Sequence, residues 1–103
     1  MLSVLMQVIA RRTLREFWKR EPHAEMPLRV WYAIADKASW AGTSDIKAQC
    51  GANVDFVGDN RVIFDIGGNK YRLIVHFAYA YQRALIKFVG THKEYDRIDA
   101  ETV

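Results

Sequence analysis

The sequence contains almost no cysteine. Cys50 is the one cysteine among 103 residues, so the chain cannot form an internal disulfide. It also lacks a Cys-x-x-Cys pair, which argues against a dithiol redox centre and against a zinc site built on paired thiolates. Because a chain without disulfides is typical of a reducing compartment, we expect a cytoplasmic protein.

Long hydrophobic runs are absent as well. The apolar opening, 1–10, has about half of the roughly 20 residues that a membrane-spanning helix needs. Its basic residues Arg11 and Arg12 follow the run, whereas a secretory signal places positive charge before it. We therefore predict a buried strand here and no membrane association, with a few loose residues in front if Met6 is the true start.

Fingerprints of cofactor chemistry are missing too. The glycine pair in Gly67-Gly68-Asn69-Lys70 lies between two predicted strands, without the strand-to-helix context of a nucleotide-binding loop. The scattered histidines form neither a metal-ligand spacing nor a nucleophile pair with Cys50. A chain of this length also has little room for the deep pocket of a metabolic enzyme. We expect no cofactor and no metal.

The composition is that of an ordinary globular protein. Apolar residues make up 50% of the chain and charged residues 26%, which is typical of a domain with a packed core. A length of 103 residues is sufficient for one such core. We therefore predict a single domain over 1–103.

Apolar spacing in the first half of the chain predicts helices. Leu14, Phe17 and Trp18 recur at helical spacing within 13–20, and a wider apolar stripe over 28–38 follows Pro27. The pattern weakens over 39–60, where we predict a partly structured connection. It contains one helical turn, capped by Ser44 or Asp45.

The apolar period changes to two after residue 60. Residues 61–66 and 71–77 flank Gly67-Gly68 and predict a β-hairpin, and 84–89 predict a further strand. Together with the first strand, this order predicts an α+β fold. We expect a small antiparallel sheet, two N-terminal helices packed on one face, and a short C-terminal helix.

Acidic residues are scarce in one segment. Residues 61–93 contain six Lys/Arg and Asp65 alone, whereas 1–60 contain eight Lys/Arg and seven Asp/Glu. Alternation places Arg72, and His76 if its strand stays regular, on the face away from the helices. Leu85, Lys87 and Val89 are predicted to share a face, so that Lys87 stands beside the same surface. A solvated sheet face would explain this charge, but a polyanion site explains it better.

The segment after the last predicted strand is rich in chemically active groups. It reads Gly-Thr-His-Lys-Glu-Tyr-Asp over 90–96 and brings an imidazole, an ammonium and a phenol together. RNA cleavage needs a base for the 2′-hydroxyl, positive charge at the phosphate and an acid for the leaving oxygen. Structural roles remain open: Thr91 and Glu94 form the pattern of a helix capping box, His92 could serve only a loop hydrogen bond, and His76 could be structural.

Two segments resemble the HigB family of type II toxins. They read RVIFDIGGNKYRL over 61–73 and FVGTHKEYD over 88–96. The resemblance implies a compact RelE-like fold and ribosome-dependent, metal-independent cleavage of messenger RNA. It also implies neutralisation by a HigA-type antitoxin with a helix-turn-helix domain.

The resemblance assigns roles to particular residues. The candidate catalytic residues are Arg72, His92, Lys93 and Tyr95. We expect the arginine and the lysine to bind the scissile phosphate, the histidine to act as acid or base, and the tyrosine to position the nucleotide. Residues expected to hold RNA or ribosomal phosphates are Arg61, Lys70 and Lys87.

Two other functions remain open at this point. The first is an RNA-binding module without catalysis, in which Tyr79 and Tyr81 stack on bases. The second is a protein-binding domain whose basic face docks an acidic segment.

Overall fold

In the computed structural model, which describes residues 5–103, one short strand and three helices precede four consecutive strands and a short last helix. The elements are β1 (Gln7–Ile9), α1 (Arg11–Arg20), α2 (Glu25–Asp36), α3 (Thr43–Cys50), β2 (Val54–Val57), β3 (Arg61–Ile66), β4 (Tyr71–Ala78), β5 (Arg83–Thr91) and α4 (His92–Tyr95). Short 3₁₀ turns precede α2, β2 and β5.

The strands form one sheet in the order β1-β5-β4-β3-β2. Strands β2 to β5 pair antiparallel, whereas β1 pairs parallel with β5 and places Gln7 opposite Arg83. The predicted α+β class and short C-terminal helix are confirmed, but the sheet is mixed rather than antiparallel. The alternation of side chains does not encode strand direction, and the long connection from β1 to β5 permits a parallel pair.

The first strand is shorter than predicted. Within the predicted stretch 1–10, β1 covers Gln7–Ile9, and residues 1–4 lie outside the described part of the chain. The prediction that this strand is buried is wrong, because it lies at the edge of the sheet with Gln7 and Ile9 exposed. Helix α1 then begins at Arg11, two residues before its predicted start.

One strand within the predicted connection 39–60 was missed. Strand β2 pairs with β3 from Val54 opposite Phe64 to Val57 opposite Arg61. Asp59 and Asn60 in the intervening turn adopt positive φ values of 62° and 59°, which these two residue types tolerate better than most. The sequence does contain a pattern typical of a strand here, because Val-Asp-Phe-Val is followed at once by turn-forming residues.

The same connection also contains a full helix instead of one turn. Helix α3 has eight residues and begins at Thr43, with Gly42 as its N-cap. The prediction of Ser44 or Asp45 as the cap is therefore wrong. The Asp45 carboxylate accepts a hydrogen bond from the Ala41 N–H, 2.8 Å away, outside the helix.

The core lies between the helices and one face of the sheet. Aromatic edge-to-face pairs join the two layers, with ring centroids 5.7 Å apart for Phe17 and Tyr71 and 5.3 Å apart for Trp31 and Phe64. Leu73, opposite Phe64 in the sheet, is fully buried. Within residues 5–103, none of the helices has the length and apolar character needed to cross a bilayer.

The opposite face of the sheet, called the outer face here, is also partly covered. Ile63 and Ile74 lie on this face and are 4% and 0% exposed. The segment 96–103 leaves α4 near one end of the face and reaches the other end, where the Val103 oxygen accepts a hydrogen bond from Arg61 Nη2 at 3.2 Å. The segment therefore ends on the side of the sheet without the long helices.

Candidate active site

Arg72 lies at the centre of one end of the outer face. The strand register places it opposite Asp65 of β3 and Gly90 of β5. Its Nε lies 3.2 Å from Asp65 Oδ1, and its Nη2 donates to Asn69 Oδ1 at 2.6 Å. The Arg72 side chain is only 11% exposed. These anchors fix the guanidinium within the sheet.

The α4 turn is built onto the same end. Thr91 Oγ1 accepts a hydrogen bond from the Glu94 N–H at 3.2 Å, and the Thr91 N–H donates to Glu94 Oε1 at 2.9 Å. The predicted capping box is therefore confirmed. The His92 N–H donates to the Lys70 carbonyl at 3.1 Å, which joins the turn to the β3–β4 hairpin.

The capping hydrogen bond has an electrostatic consequence for Glu94. The Thr91 N–H, together with the nearby Arg20 guanidinium, holds the pKa of the Glu94 carboxyl below its usual value, although burial acts in the opposite direction. The carboxylate is therefore the favoured form in the folded protein. It stays an acceptor for the cap at neutral pH.

Tyr95 connects the α4 turn to Arg72. The Arg72 guanidinium carbon lies 5.7 Å from the Tyr95 ring centroid, within the range of a cation–π contact. The Tyr95 ring also lies near Phe88, at 6.5 Å between centroids. A Cβ atom at Gly90 would lie 2.5 Å from the Phe88 ring, so a glycine here leaves room for that ring.

His92 and Lys93 are the exposed members of this group. The His92 side chain is 46% exposed, and its Nδ1 lies 3.3 Å from Asp96 Oδ2. When Nδ1–H donates to Asp96, Nε2 remains available for proton exchange with a ligand. Lys93 is exposed on the same turn, and Lys70 is exposed on the adjoining hairpin. We call Arg72 and the α4 turn, with these neighbours, the α4 end of the outer face.

The opposite end of the outer face, called the Val103 end, holds Arg61. This residue is 9% exposed, and its Nη1 lies 2.8 Å from Asp59 Oδ2 in addition to the contact with Val103. His76 lies opposite Arg61 in the register, with Nε2 3.6 Å from the same Asp59 oxygen. The structure therefore does not bring Arg61 together with Arg72 and the α4 turn.

Lys87 occupies an irregularity of β5. Across β4, Ile74 lies opposite Phe88 and Val75 lies opposite Ile86, so the register skips Lys87. Such a bulge adds one residue and reverses the alternation beyond it. The prediction that Leu85, Lys87 and Val89 share a face is therefore wrong.

The register shows the consequence of the bulge. Leu85 lies opposite His76 on the outer face, whereas Val89 lies opposite Leu73 on the core face. Lys87 itself is exposed.

Sequence reasoning missed several residues that hold the site together. Asp65 was noted only as the single acid of a basic segment, yet it anchors Arg72. Asn69 was seen only as a turn residue, and Asp96 was not connected with His92. The cross-strand position of Asp65 opposite Arg72 could have been found from the predicted hairpin register.

Tyr79 and Tyr81, which would stack on bases in a non-catalytic RNA-binding module, differ in accessibility. Tyr79 stacks on Phe77 at 5.4 Å with an angle of 6° between the rings, and burial raises the pKa of its hydroxyl. Tyr81 is 73% exposed. Within residues 5–103, no three His, Cys, Asp or Glu side chains are grouped in a way that could hold a metal ion.

An α+β domain with helices on one face of a small sheet and a short C-terminal helix is compatible with the RelE-like class. The family model described as HigB toxin, the RelE-like toxic component of a toxin–antitoxin system, matches residues 24–98. The chain belongs to the HigB toxin family, which confirms the resemblance inferred from 61–73 and 88–96. The match includes β4, β5 and α4.

A curated relative agrees with this family. The chain is 21% identical over 94 residues to the mRNA interferase HigB of Escherichia coli O6:H1, strain CFT073. The similarity covers 90% of this chain and 91% of that protein. The two chains therefore correspond over nearly their whole lengths.

Proposed function

We propose that this chain is an endoribonuclease toxin that cleaves messenger RNA on the ribosome and so inhibits translation. Membership of a toxin family and the name of the E. coli relative support this activity. The observation that carries the proposal is the meeting of Arg72 with an α4 turn that bears His92, Lys93 and Tyr95 at one end of the sheet.

The exposed groups suit the proton transfers and the phosphate contact. His92 exchanges a proton through Nε2 while Asp96 holds Nδ1, so that it serves as base for the 2′-hydroxyl or as acid for the 5′-oxygen. Lys93 contacts the phosphate directly from the same turn. Because His92 can take the proton of the 2′-hydroxyl and then return it to the departing 5′-oxygen, while Lys93 and Arg72 supply positive charge, the proposed reaction needs no metal.

Arg72 and Tyr95 are less exposed than His92 and Lys93, and we assign them supporting roles at the phosphate and the base. The Arg72 guanidinium is mostly buried directly beside these groups, so it stabilises the growing phosphate charge at short range. Tyr95 lies against it and positions the nucleotide by stacking. Lys70 and Lys87 hold flanking phosphates, whereas Arg61 is omitted from the proposed RNA contacts because it lies at the Val103 end, away from Arg72 and the α4 turn.

We further propose that the partner of this toxin is a HigA-type helix-turn-helix antitoxin, and that the toxin acts in the cytoplasm. A toxin of this family requires a neutralising partner. Co-expression of the chain with the product of the adjacent reading frame tests the pairing. A stable complex and restored growth are expected, and continued growth arrest despite expression of a helix-turn-helix neighbour would contradict the pairing.

The activity is tested by translation-dependent cleavage of a defined messenger RNA. The wild-type chain should cut it only when ribosomes are present, and His92→Ala and Arg72→Ala should each lower the cleavage rate. Unchanged cleavage in both variants would contradict the catalytic assignment. Retained RNA binding without cleavage by the wild type would favour the non-catalytic module.

A further inference from the structure

The α4 turn has an anchor that lies outside the outer face of the sheet. Arg20, the last residue of α1, places Nη2 3.0 Å from Glu94 Oε2 and 3.1 Å from Glu94 Oε1. The two residues are 74 positions apart in the chain. Helix α1 thus contacts the turn that bears His92, Lys93 and Tyr95 through one ion pair.

Arg20 is itself held on a rigid support. Its guanidinium carbon lies 4.7 Å from the centroid of the Phe17 ring, and that ring packs edge-to-face on Tyr71. Phe17 and Tyr71 are 3% and 5% exposed, so neither ring can move without disturbing the core. Tyr71 directly precedes Arg72 in β4. The same support therefore lies under Arg20 and beside the candidate phosphate-binding arginine.

The α4 turn needs such an anchor. A helix of four residues is too short to be stable by itself, and its capping box joins only Thr91 and Glu94 within the turn. The contacts of Tyr95 with Arg72 and Phe88 hold the side of the turn that faces the sheet. The Arg20 ion pair holds Glu94, the residue next to Tyr95, from the side of α1.

We infer that Arg20 is a positioning residue for RNA cleavage: through Glu94 it fixes the α4 turn so that His92 and Lys93 meet the phosphate held over Arg72. This inference rests on the proposed function. Arg20 does not touch the reacting atoms in this arrangement. It acts by keeping the catalytic groups in place, and a displacement of about 1 Å in such groups can lower a rate by about a hundredfold.

The test compares Arg20→Ala with Arg12→Ala. Both variants remove one arginine from α1 and break one exposed ion pair, since Arg12 Nε binds Glu16 within the helix at 2.6 Å. Exposed pairs contribute little to global stability, so both variants should fold with similar thermal midpoints. Ribosome-dependent cleavage is then measured at limiting and at saturating messenger RNA concentration.

Arg20→Ala should lower the maximal cleavage rate about tenfold or more and change the half-saturating RNA concentration little, as expected for lost positioning. Arg12→Ala should match the wild type in both quantities. Arg20→Lys retains the charge without the planar guanidinium and should recover part of the rate. An unchanged maximal rate with weaker RNA binding in Arg20→Ala would overturn the inference and make Arg20 an RNA contact instead.

A second measurement does not depend on activity. Amide hydrogen exchange at Glu94 and Asp96 reports the order of the turn, because their N–H groups bond to Thr91 Oγ1 and to the His92 carbonyl. These amides should exchange faster in Arg20→Ala than in Arg12→Ala. Equal exchange would overturn the inference. A third outcome separates the two proposals. If the amides exchange faster in Arg20→Ala but His92→Ala and Arg72→Ala cleave at the wild-type rate, then Arg20 does anchor the turn and the proposed catalytic function is wrong.

Discussion

The two ends of the outer face carry the same residue types in different surroundings. At the α4 end, Arg72 is paired with Asp65, and the exposed His92 lies on a turn above the sheet. At the Val103 end, Arg61 is paired with Asp59, and His76 lies in the sheet itself. The two ends differ in what lies beside the arginine. Arg72 lies beside a turn with exposed acid–base groups, whereas Arg61 is bonded to the chain segment that ends at Val103.

This comparison shows that charge counts alone do not define a site. Arg61 and Arg72 contribute equally to the basic character of 61–93, yet Arg61 is used to fasten the segment that ends at Val103. Arg72 is fastened by its own hairpin, through Asp65 and Asn69, and contacts the α4 turn. We therefore expect substitutions at the α4 end to affect cleavage and substitutions at the Val103 end to affect stability.

The largest expected difference is between the two histidines. His92→Ala should lower the rate of messenger RNA cleavage by about 10² to 10⁴-fold, the range typical of a lost acid–base group. His76→Ala removes an imidazole from the same face of the sheet. It should leave cleavage within about threefold of the wild type, because His76 lies far from the α4 turn and has no acid–base role. Cleavage by purified variants in a translation extract provides both rates. Equal losses in the two variants would show that the two histidines do not differ in function.

The arginines should separate activity from stability. Arg61→Ala should lower the free energy of unfolding by about 2 kcal/mol, since it removes hydrogen bonds from a mostly buried charged group. Cleavage per folded molecule should change little. Arg72→Lys should instead impair cleavage per folded molecule, because a lysine cannot bind Asp65 and Asn69 in the same fork.

Urea unfolding measured beside cleavage rates distinguishes these two arginine variants. The prediction fails if Arg61→Ala loses activity without losing stability.

The salt dependence of RNA binding should also differ between the two ends of the outer face. Each phosphate contact contributes about one unit to the slope of log affinity against log salt concentration, so Lys93→Gln should reduce the slope for RNA by about one. Arg61→Gln should leave the slope unchanged, because its guanidinium is bound within the protein. Binding to programmed ribosomes between low and physiological salt measures this slope. Identical slopes for Lys93→Gln and the wild type would remove Lys93 from the phosphate site.

The smallest expected effect is a local response to acid. The pKa of Glu94 is lower in the folded than in the unfolded protein, so its stabilising effect is complete above about pH 4.3 and is lost as the pH falls through the folded value. Amides of the α4 turn in the wild type should therefore lose protection on acidification. In Glu94→Gln, which cannot ionise, protection should be lower at neutral pH and should change less. Parallel acid profiles in both proteins would contradict this assignment.

Much of the fold could be predicted because periodicity reports burial directly. The hairpin of 61–66 and 71–77, the first two helices and the Thr91–Glu94 capping box all follow from local patterns that the structure confirms. Strand β2 was missed because its four residues lie within a polar, glycine-containing connection. The parallel pairing of β1 is a long-range choice that no local pattern encodes.

The candidate site was only partly predictable for similar reasons. Arg72 and the turn bearing His92 could be selected by alternation and by residue type. The bulge at Lys87 could not be foreseen, because an added residue in one strand is visible only against its partner strand. The burial of Arg61 depends on Val103, 42 residues away, and the Arg20–Glu94 pair joins positions even farther apart.

Whether Arg72 and His92 act on one phosphate is tested by a double-mutant cycle between Arg72→Ala and His92→Ala, read as the rate of ribosome-dependent messenger RNA cleavage. Groups that act as one unit on the same phosphate show strongly non-additive losses. We predict that the double variant is about as slow as the slower single variant. A rate reduced by the full product of the two single losses would contradict the account, because the two side chains would then act independently.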